Sequence, residues 1–255
     1  MLRVLLLGGT TEASRMAEAL SAAGHWAVFS YAGRTLAPLR QPLPTRIGGF
    51  GGVEGLVAFL KHERISHVID ATHPFAAAMR HNACVACAET GAALIRLERT
   101  AWQPDAGDGW HTVENFEAAA AALPDRPTRI FLAIGRQHVS AFAVKPQHHY
   151  LLRLVDAPEG PPLLPDVHVE VARGPFTVAG DVEMLRRRSI GLVVARNSGG
   201  AGAEAKLHAA RTLRLPVIMI ARPGMADQPG MPARLVVDNQ HAVMAWLAHP
   251  TRLGV

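Results

Sequence analysis

Short apolar runs alternate with helical stretches through the first hundred residues, and few architectures accommodate that alternation. Strand signals fall at 2–7, 26–31, near Arg46 and Ile47, at 66–71 and at 93–97, with helical stretches at 12–23, 53–63 and 75–90. A strand that returns to its sheet through a helix runs parallel to its neighbour, and parallel strands are covered on both faces. The run Arg3-Val4-Leu5-Leu6-Leu7 has that doubly buried character.

The pattern lapses between Glu98 and Glu114, where Trp102 to Trp110 is polar and turn-rich. It resumes with an alanine-rich helix near 114–122, strands near 129–134, 149–155, 167–171, 190–195 and 216–221, and a last helix at 240–248. These signals predict an α/β fold of two domains with mainly parallel sheets, 1–98 and 114–255, joined through 99–113. The proline-rich stretch from Asp156 to Pro165 is a loop, because its prolines lack the N–H and fix the backbone. Two such halves are expected to hold ligands in a cleft at the carboxyl ends of their strands.

Composition narrows the class. The chain has 255 residues, 49% of them hydrophobic, and a net charge of +5 from 26 basic against 21 acidic side chains. Only Lys61, Lys145 and Lys206 are lysines, and the arginines are scattered at strand ends, which favours a small acidic ligand over nucleic acid. Arg186, Arg187 and Arg188 read as a solvated helix end. No apolar run reaches the roughly 20 residues that span a bilayer, and the chain opens directly on a strand, so the expected location is the cytoplasm, with no membrane partner. Cys84 and Cys87 lie inside a helical stretch and read as small core residues, and no histidine spacing implies a metal. Nothing in the chain fixes an oligomeric state.

The first strand runs into Gly8-Gly9-Thr10-Thr11-Glu12-Ala13. A buried strand feeding a helix through such a turn presents backbone N–H groups and the positive helix end to a phosphate. Gly8 and Ala13 match the first and third small residues of a dinucleotide fingerprint, whereas Thr10 replaces the second glycine. The alternative is a plain strand-to-helix turn capped by Thr10 or Thr11. After the second strand, Arg34 and Thr35 stand where NAD-binding proteins carry an acid. A guanidinium grips the extra phosphate of NADPH that a carboxylate would repel, so NADP(H) is expected before NAD(H).

Other strand ends carry chemistry as well. Asp70-Ala71-Thr72-His73-Pro74-Phe75 ends the fourth strand, where Asp70 or His73 serves as acid, base or coenzyme contact, or else Asp70 merely caps the turn. Gly48-Gly49-Phe50-Gly51-Gly52 lets backbone approach a flat ligand, or is simply a flexible loop. In the second half, Gly135-Arg136-Gln137 and Arg196-Asn197-Ser198-Gly199-Gly200 end strands, Lys206 follows on the next helix, and Arg222 ends a further strand. Together these form a cradle for a phosphate or carboxylate.

With these residues assembled, the chain resembles the precorrin-6A reductase family of aerobic cobalamin biosynthesis. The resemblance rests on Gly8 to Glu12, Tyr31-Ala32-Gly33-Arg34-Thr35, Gly48 to Gly52, Asp70 to Phe75, Gly135 to Gln137, and Arg196 to Gly200 with Lys206, and so runs over nearly the whole chain. It implies two Rossmann-like domains with the possibility of exchanged strands, and NADPH-dependent reduction of one C=C bond of precorrin-6A to give precorrin-6B. It further implies pyrophosphate over Gly8, Gly9, Thr10, Thr11 and Glu12, and the 2'-phosphate on Arg34 and Thr35 beside Tyr31, Gly33 and Gly52. The nicotinamide would lie near Thr72 and His73, with His73 the candidate proton donor. The carboxylated macrocycle would be held by Gly135, Arg136, Gln137, Arg196, Asn197, Ser198, Gly199, Gly200, Lys206 and Arg222. Three alternatives stand beside it: a cobalt-precorrin-6A reductase, a methyltransferase, which usually wants an acid where Arg34 is, and a non-enzymatic tetrapyrrole carrier.

Overall fold

The computed structural model describes residues 2–33, 38–158, 160, 164–223 and 235–249. The chain divides into two compact units, Met1–Thr100 with Gly224–Val255, and Ala101–Pro223. In chain order the first unit contains β1 (Arg3–Leu7), α1 (Thr11–Ala22), β2 (Trp26–Tyr31), β3 (Thr45–Ile47), α2 (Val53–His62), β4 (His67–Asp70), α3 (Ala77–Thr90) and β5 (Ala93–Leu97). The second contains β6 (Trp110–Val113), α4 (Phe116–Ala121), β7 (Arg129–Ala133), a 3₁₀ helix (Arg136–Val144), β8 (His149–Leu154), β9 (Val167–Val171), α5 (Val178–Arg187), β10 (Leu192–Arg196), α6 (Ala205–Thr212) and β11 (Val217–Ile220). β12 (Leu235–Val237) and α7 (Gln240–Ala248) then return to the first unit.

Period-two alternation along β1 builds the first core. Val4 and Leu6 face a cluster with Met16, Ala17 and Leu20 of α1 and Val243, Trp246 and Leu247 of α7. Leu5 and Leu7 face the opposite cluster, with Leu56, Val57 and Leu60 of α2 and Ala83, Ala86 and Cys87 of α3. Each fully buried aliphatic side chain contributes roughly 1.5–3 kcal/mol, so the strand is anchored on both faces. In the second unit Phe131, Val193 and Met219 pack against Met184 and Leu185 of α5 and Leu207 of α6, with Trp102 in the same cluster.

Every strand pair is parallel. The first sheet has the order β3-β2-β1-β4-β5-β12 and the second β9-β8-β7-β10-β11-β6. Each therefore winds outward in both directions from a central pair, β1 with β4 and β7 with β10. The sixth positions are exchanged. β6, which follows β5 in the chain, completes the second sheet, and β12, which follows β11, completes the first.

The domain limits read from the sequence change accordingly. The expected second domain of 114–255 loses its C-terminal part to the first sheet, where Leu235 to Val237 pair with Ile95 to Leu97. The expected junction of 99–113 instead contains β6 and the buried Trp102, both parts of the second unit. Strands of three and four residues give too short an alternation to be assigned to a sheet, and pairing with residues more than a hundred positions away decides their membership.

Candidate functional site

In doubly wound sheets, ligands bind where the strand order reverses, at the carboxyl ends of the two central strands. In the first unit that point lies between β1 and β4. Gly8 N donates to Ser30 O at 3.0 Å, and a side chain at residue 8 would overlap the ring of Phe29, which is fully buried. Gly9 follows with φ of 116°, in a region that only glycine enters easily. Thr10 caps α1 by accepting from Ala13 N at 3.1 Å, so the first-turn amides of Thr11 and Glu12 have no intrahelical acceptor and point out of the helix end. Glu12 would repel an anion there, but Arg99 pairs with its carboxylate at 2.9 Å. Arg99 carries no sequence signal, because its partner is 87 residues away.

The adjoining strands shape the flank of this point. The Tyr31 hydroxyl donates to Leu39 O at 3.0 Å and accepts from Gln41 Nε2 at 2.5 Å, and burial raises its pKa. Gly33 lies against Gly48, whereas Arg34 and Thr35 fall outside the described residues. Arg46 of β3 was not singled out by sequence. Its guanidinium donates to Ser30 Oγ at 2.8 Å, Gly48 O at 2.9 Å and Gly49 O at 3.1 Å, and lies over the Phe50 ring at 3.8 Å. The glycine-rich loop is thus clamped rather than loose, and it ends at Gly52, the cap of α2.

Across the switch point, Asp70 is buried and caps the turn. Its Oδ1 accepts from Thr72 N at 3.1 Å and Thr72 Oγ1 at 2.6 Å, while Oδ2 meets Arg96 Nη1 at 2.5 Å. Arg96 also pairs with Glu98. Asp70 therefore serves structure, as the capping alternative expects. His73 is half-buried, and its Nδ1 accepts from Phe75 N at 3.1 Å. That bond places the proton of a neutral imidazole on Nε2, the nitrogen suited to donate. Cys84 and Cys87 are buried, as expected of core residues, and burial, then Cys84, then Asp70 push the Cys87 thiol up to about 12.

In the second unit the reversal lies between β7 and β10, and the two predicted motifs meet there. Gly135 follows β7, and the Arg196 guanidinium at the end of β10 lies 3.5 Å from where a side chain on Gly135 would begin. Arg136 and Gln137 open the 3₁₀ helix, with Gln137 2.8 Å from His138, which stacks on Phe116 at 3.8 Å. Several residues assigned to the substrate also hold the loop in shape. The Asn197 carboxamide brackets Trp102, accepting from its N–H at 2.8 Å and donating to its carbonyl at 2.9 Å. Arg222 donates to Asn197 O at 3.0 Å and Ser198 O at 3.2 Å. The ammonium of Lys206 donates to Ala203 O and sits 4.8 Å from the Trp102 ring. Ser198 is buried, and Gly199 and Gly200 take positive φ, which bends the loop back so that Trp102 Nε1 donates to Gly200 O at 3.1 Å. Arg136, Arg196, Lys206 and Arg222 all bring positive charge to this edge, since the carbonyl oxygens that Lys206 and Arg222 meet leave their charge in place.

Among the described residues no group of His, Cys, Asp and Glu is placed to hold a metal ion, and no helix is long and apolar enough to cross a membrane. The glycine turn, the open helix end and the neutralised Glu12 fit a pyrophosphate, and the first unit has the architecture of a dinucleotide-binding α/β protein.

A family profile of precorrin-6x reductase CbiJ/CobK matches residues 3–248. The precorrin-6A reductase of Rhodobacter capsulatus is 62% identical over 248 residues, 97% of this chain and 96% of its own length. That of a Sinorhizobium species is 49% identical, covering 89% and 87%. A solved structure of CobK precorrin-6A reductase superposes with a TM-score of 0.91 at 61% identity, covering 98% of each chain. The chain belongs to the precorrin-6x reductase family. It is accordingly an oxidoreductase of a family whose reaction calls for a nicotinamide coenzyme and a tetrapyrrole substrate.

Proposed function

We propose that the chain reduces one C=C bond of precorrin-6A with NADPH, giving precorrin-6B in cobalamin biosynthesis. The observation that carries this reading is a glycine turn and open helix end at the first switch point, in a chain matching a precorrin-6A reductase along almost its full length. The backbone N–H groups of Gly9, Thr11 and Glu12 bind the pyrophosphate, and Gly8, whose own N–H is held by Ser30 O, lets it come close to the end of β1. Tyr31, Gly33 and Gly52 line the adenosine end, and Arg34 with Thr35 takes the 2'-phosphate. Thr72 and His73 border the nicotinamide. In the second unit Gly135, Arg136, Gln137 and Arg196 meet the acetate and propionate arms of the macrocycle, with Asn197 to Gly200, Lys206 and Arg222 shaping that surface.

The bound coenzyme supplies the hydride. The chain supplies orientation, and well-aligned reactants reach effective molarities of about 10⁵ M or more, so the protein needs little further acid catalysis. His73 Nε2 delivers the proton to the carbon next to the one reduced, or orients a water that does so. The site works in the cytoplasm, where NADPH is kept reduced.

Incubation of the purified chain with precorrin-6A and NADPH tests this reading. Consumption of both, mole for mole, supports it; tight tetrapyrrole binding without NADPH oxidation would make the chain a carrier instead. A parallel reaction with cobalt-precorrin-6A decides the form of the ring, and titration with S-adenosylmethionine should show no binding. Arg34→Ala should raise KM for NADPH about tenfold more than KM for NADH, since only the former loses a charge-assisted contact.

A further inference from the structure

Thr10 occupies the place where a dinucleotide turn has its second glycine, and pyrophosphate binding alone gives no reason for a side chain there. Its hydroxyl makes two bonds. Oγ1 accepts from Ala13 N at 3.1 Å, which caps α1, and donates to Ala71 O at 2.8 Å across 61 residues of chain. The N–H of Ala71 is held as well, donating to Leu7 O at 3.0 Å. β1 and its turn therefore grip both polar backbone groups of the residue that opens the β4–α3 loop. Beyond Ala71 the loop is internally fixed, with Thr72 tied to Asp70, Phe75 N to His73 Nδ1, and Ala76 N to His73 O at 2.8 Å. A displacement of Ala71 would carry Thr72 and His73 with it.

We propose that Thr10 is a positioning residue whose hydroxyl is a strut, setting the loop of Thr72 and His73 at a fixed distance from the phosphate-binding turn. The inference rests on the reading that one nicotinamide coenzyme reaches from that turn to that loop. A glycine at residue 10 would open the backbone to phosphate equally well and would cap α1 almost as well. It would supply no donor to Ala71 O. The strut therefore serves the geometry of hydride transfer more than the affinity for the coenzyme.

Titration of the wild-type chain with NADPH comes first, because a chain that neither binds nor oxidises NADPH sinks the coenzyme reading and the strut together. Given binding, Thr10→Gly should lower kcat at saturating NADPH about tenfold while KM for NADPH stays within about threefold, as expected of a loosened reaction geometry. Thr10→Ser should recover most of kcat. The amides of Thr72, His73, Phe75 and Ala76 should exchange with deuterium faster in Thr10→Gly, with those of 13–17 little changed. Wild-type kcat in Thr10→Gly overturns the proposal, as does a loss that serine does not recover. A rise in KM without a fall in kcat also overturns it, since the hydroxyl would then serve the coenzyme directly. Should Thr10→Gly fail to fold, Thr10→Asp replaces it: the carboxylate keeps an acceptor for Ala13 N but cannot donate to Ala71 O; its charge raises KM for NADPH, so in this variant kcat at saturating NADPH alone decides, and it is expected to fall about tenfold.

Discussion

Asp70 and Arg96 meet with side chains only 3% and 5% exposed, and at that depth Arg96 is the cation that answers Asp70 while it also pairs with Glu98. Removing one partner of a buried pair costs about 3–5 kcal/mol, because the survivor stays desolvated. Arg96→Met should therefore lose stability of that order in urea unfolding, and should disturb Thr72, whose N–H and hydroxyl both rely on Asp70. Two buried histidines give the fold an acid limit. Burial lowers the pKa of His67, and burial, then Lys145, lower that of His148. Below the ordinary imidazole value of 6.5 the unfolded chain takes up protons that the folded chain refuses. The stability these neutral rings confer is complete above that pH and is lost as pH falls through it toward the lowered folded values. His67→Phe should blunt the acid loss in unfolding measured between mildly acidic and neutral pH.

Helix α2 shows an element whose composition misleads until its neighbour is seen. Gly55 lies inside the helix, where alanine would ordinarily gain about 1 kcal/mol. A side chain there would overlap the Phe50 carbonyl oxygen, so the glycine lets the loop of Gly48 to Gly52 lie on the helix. Overpacking costs roughly 1–3 kcal/mol and outweighs the propensity. Gly55→Ala should accordingly destabilise the chain and raise KM for NADPH, read by thermal unfolding and steady-state kinetics. β1, α1 and the turn between them were legible in the sequence, because an apolar strand, a capping hydroxyl and an amphipathic helix are all local signals. Arg99 was not, since its partner Glu12 lies 87 residues away, and Arg46 was not, since no local pattern shows that its side chain folds back over Gly48, Gly49 and Phe50 while β2 brings Ser30 to it. Asn197, Lys206 and Arg222 were legible as cradle residues by type, but not the backbone bonds they also make, since their partners are set by the folded loop.

At the scale of the molecule, the exchange of sixth strands makes each sheet depend on chain that belongs, by order, to the other. Trp246 of α7 is 9% exposed and packs T-shaped on His67 of β4 at 5.0 Å, so the end of the chain closes the first core. Trp246→Ala should cost about 3–5 kcal/mol in the first unit, and coenzyme binding should fail at a lower temperature than in the wild type. Ending the chain at residue 223 should abolish NADPH binding altogether, while the sheet of residues 101–223 keeps its strands by circular dichroism.

Hydrophobic periodicity and turn chemistry act over a few residues, and so the amino-acid sequence alone determined the α/β class, nearly every strand and helix, and the glycine turn at the end of β1. Which sheet receives β6 and β12, which arginine neutralises Glu12, and where Thr10 sends its hydroxyl were decided only by the tertiary structure. Those contacts join residues tens to more than a hundred positions apart, and their energy is gained only once the sheets have formed.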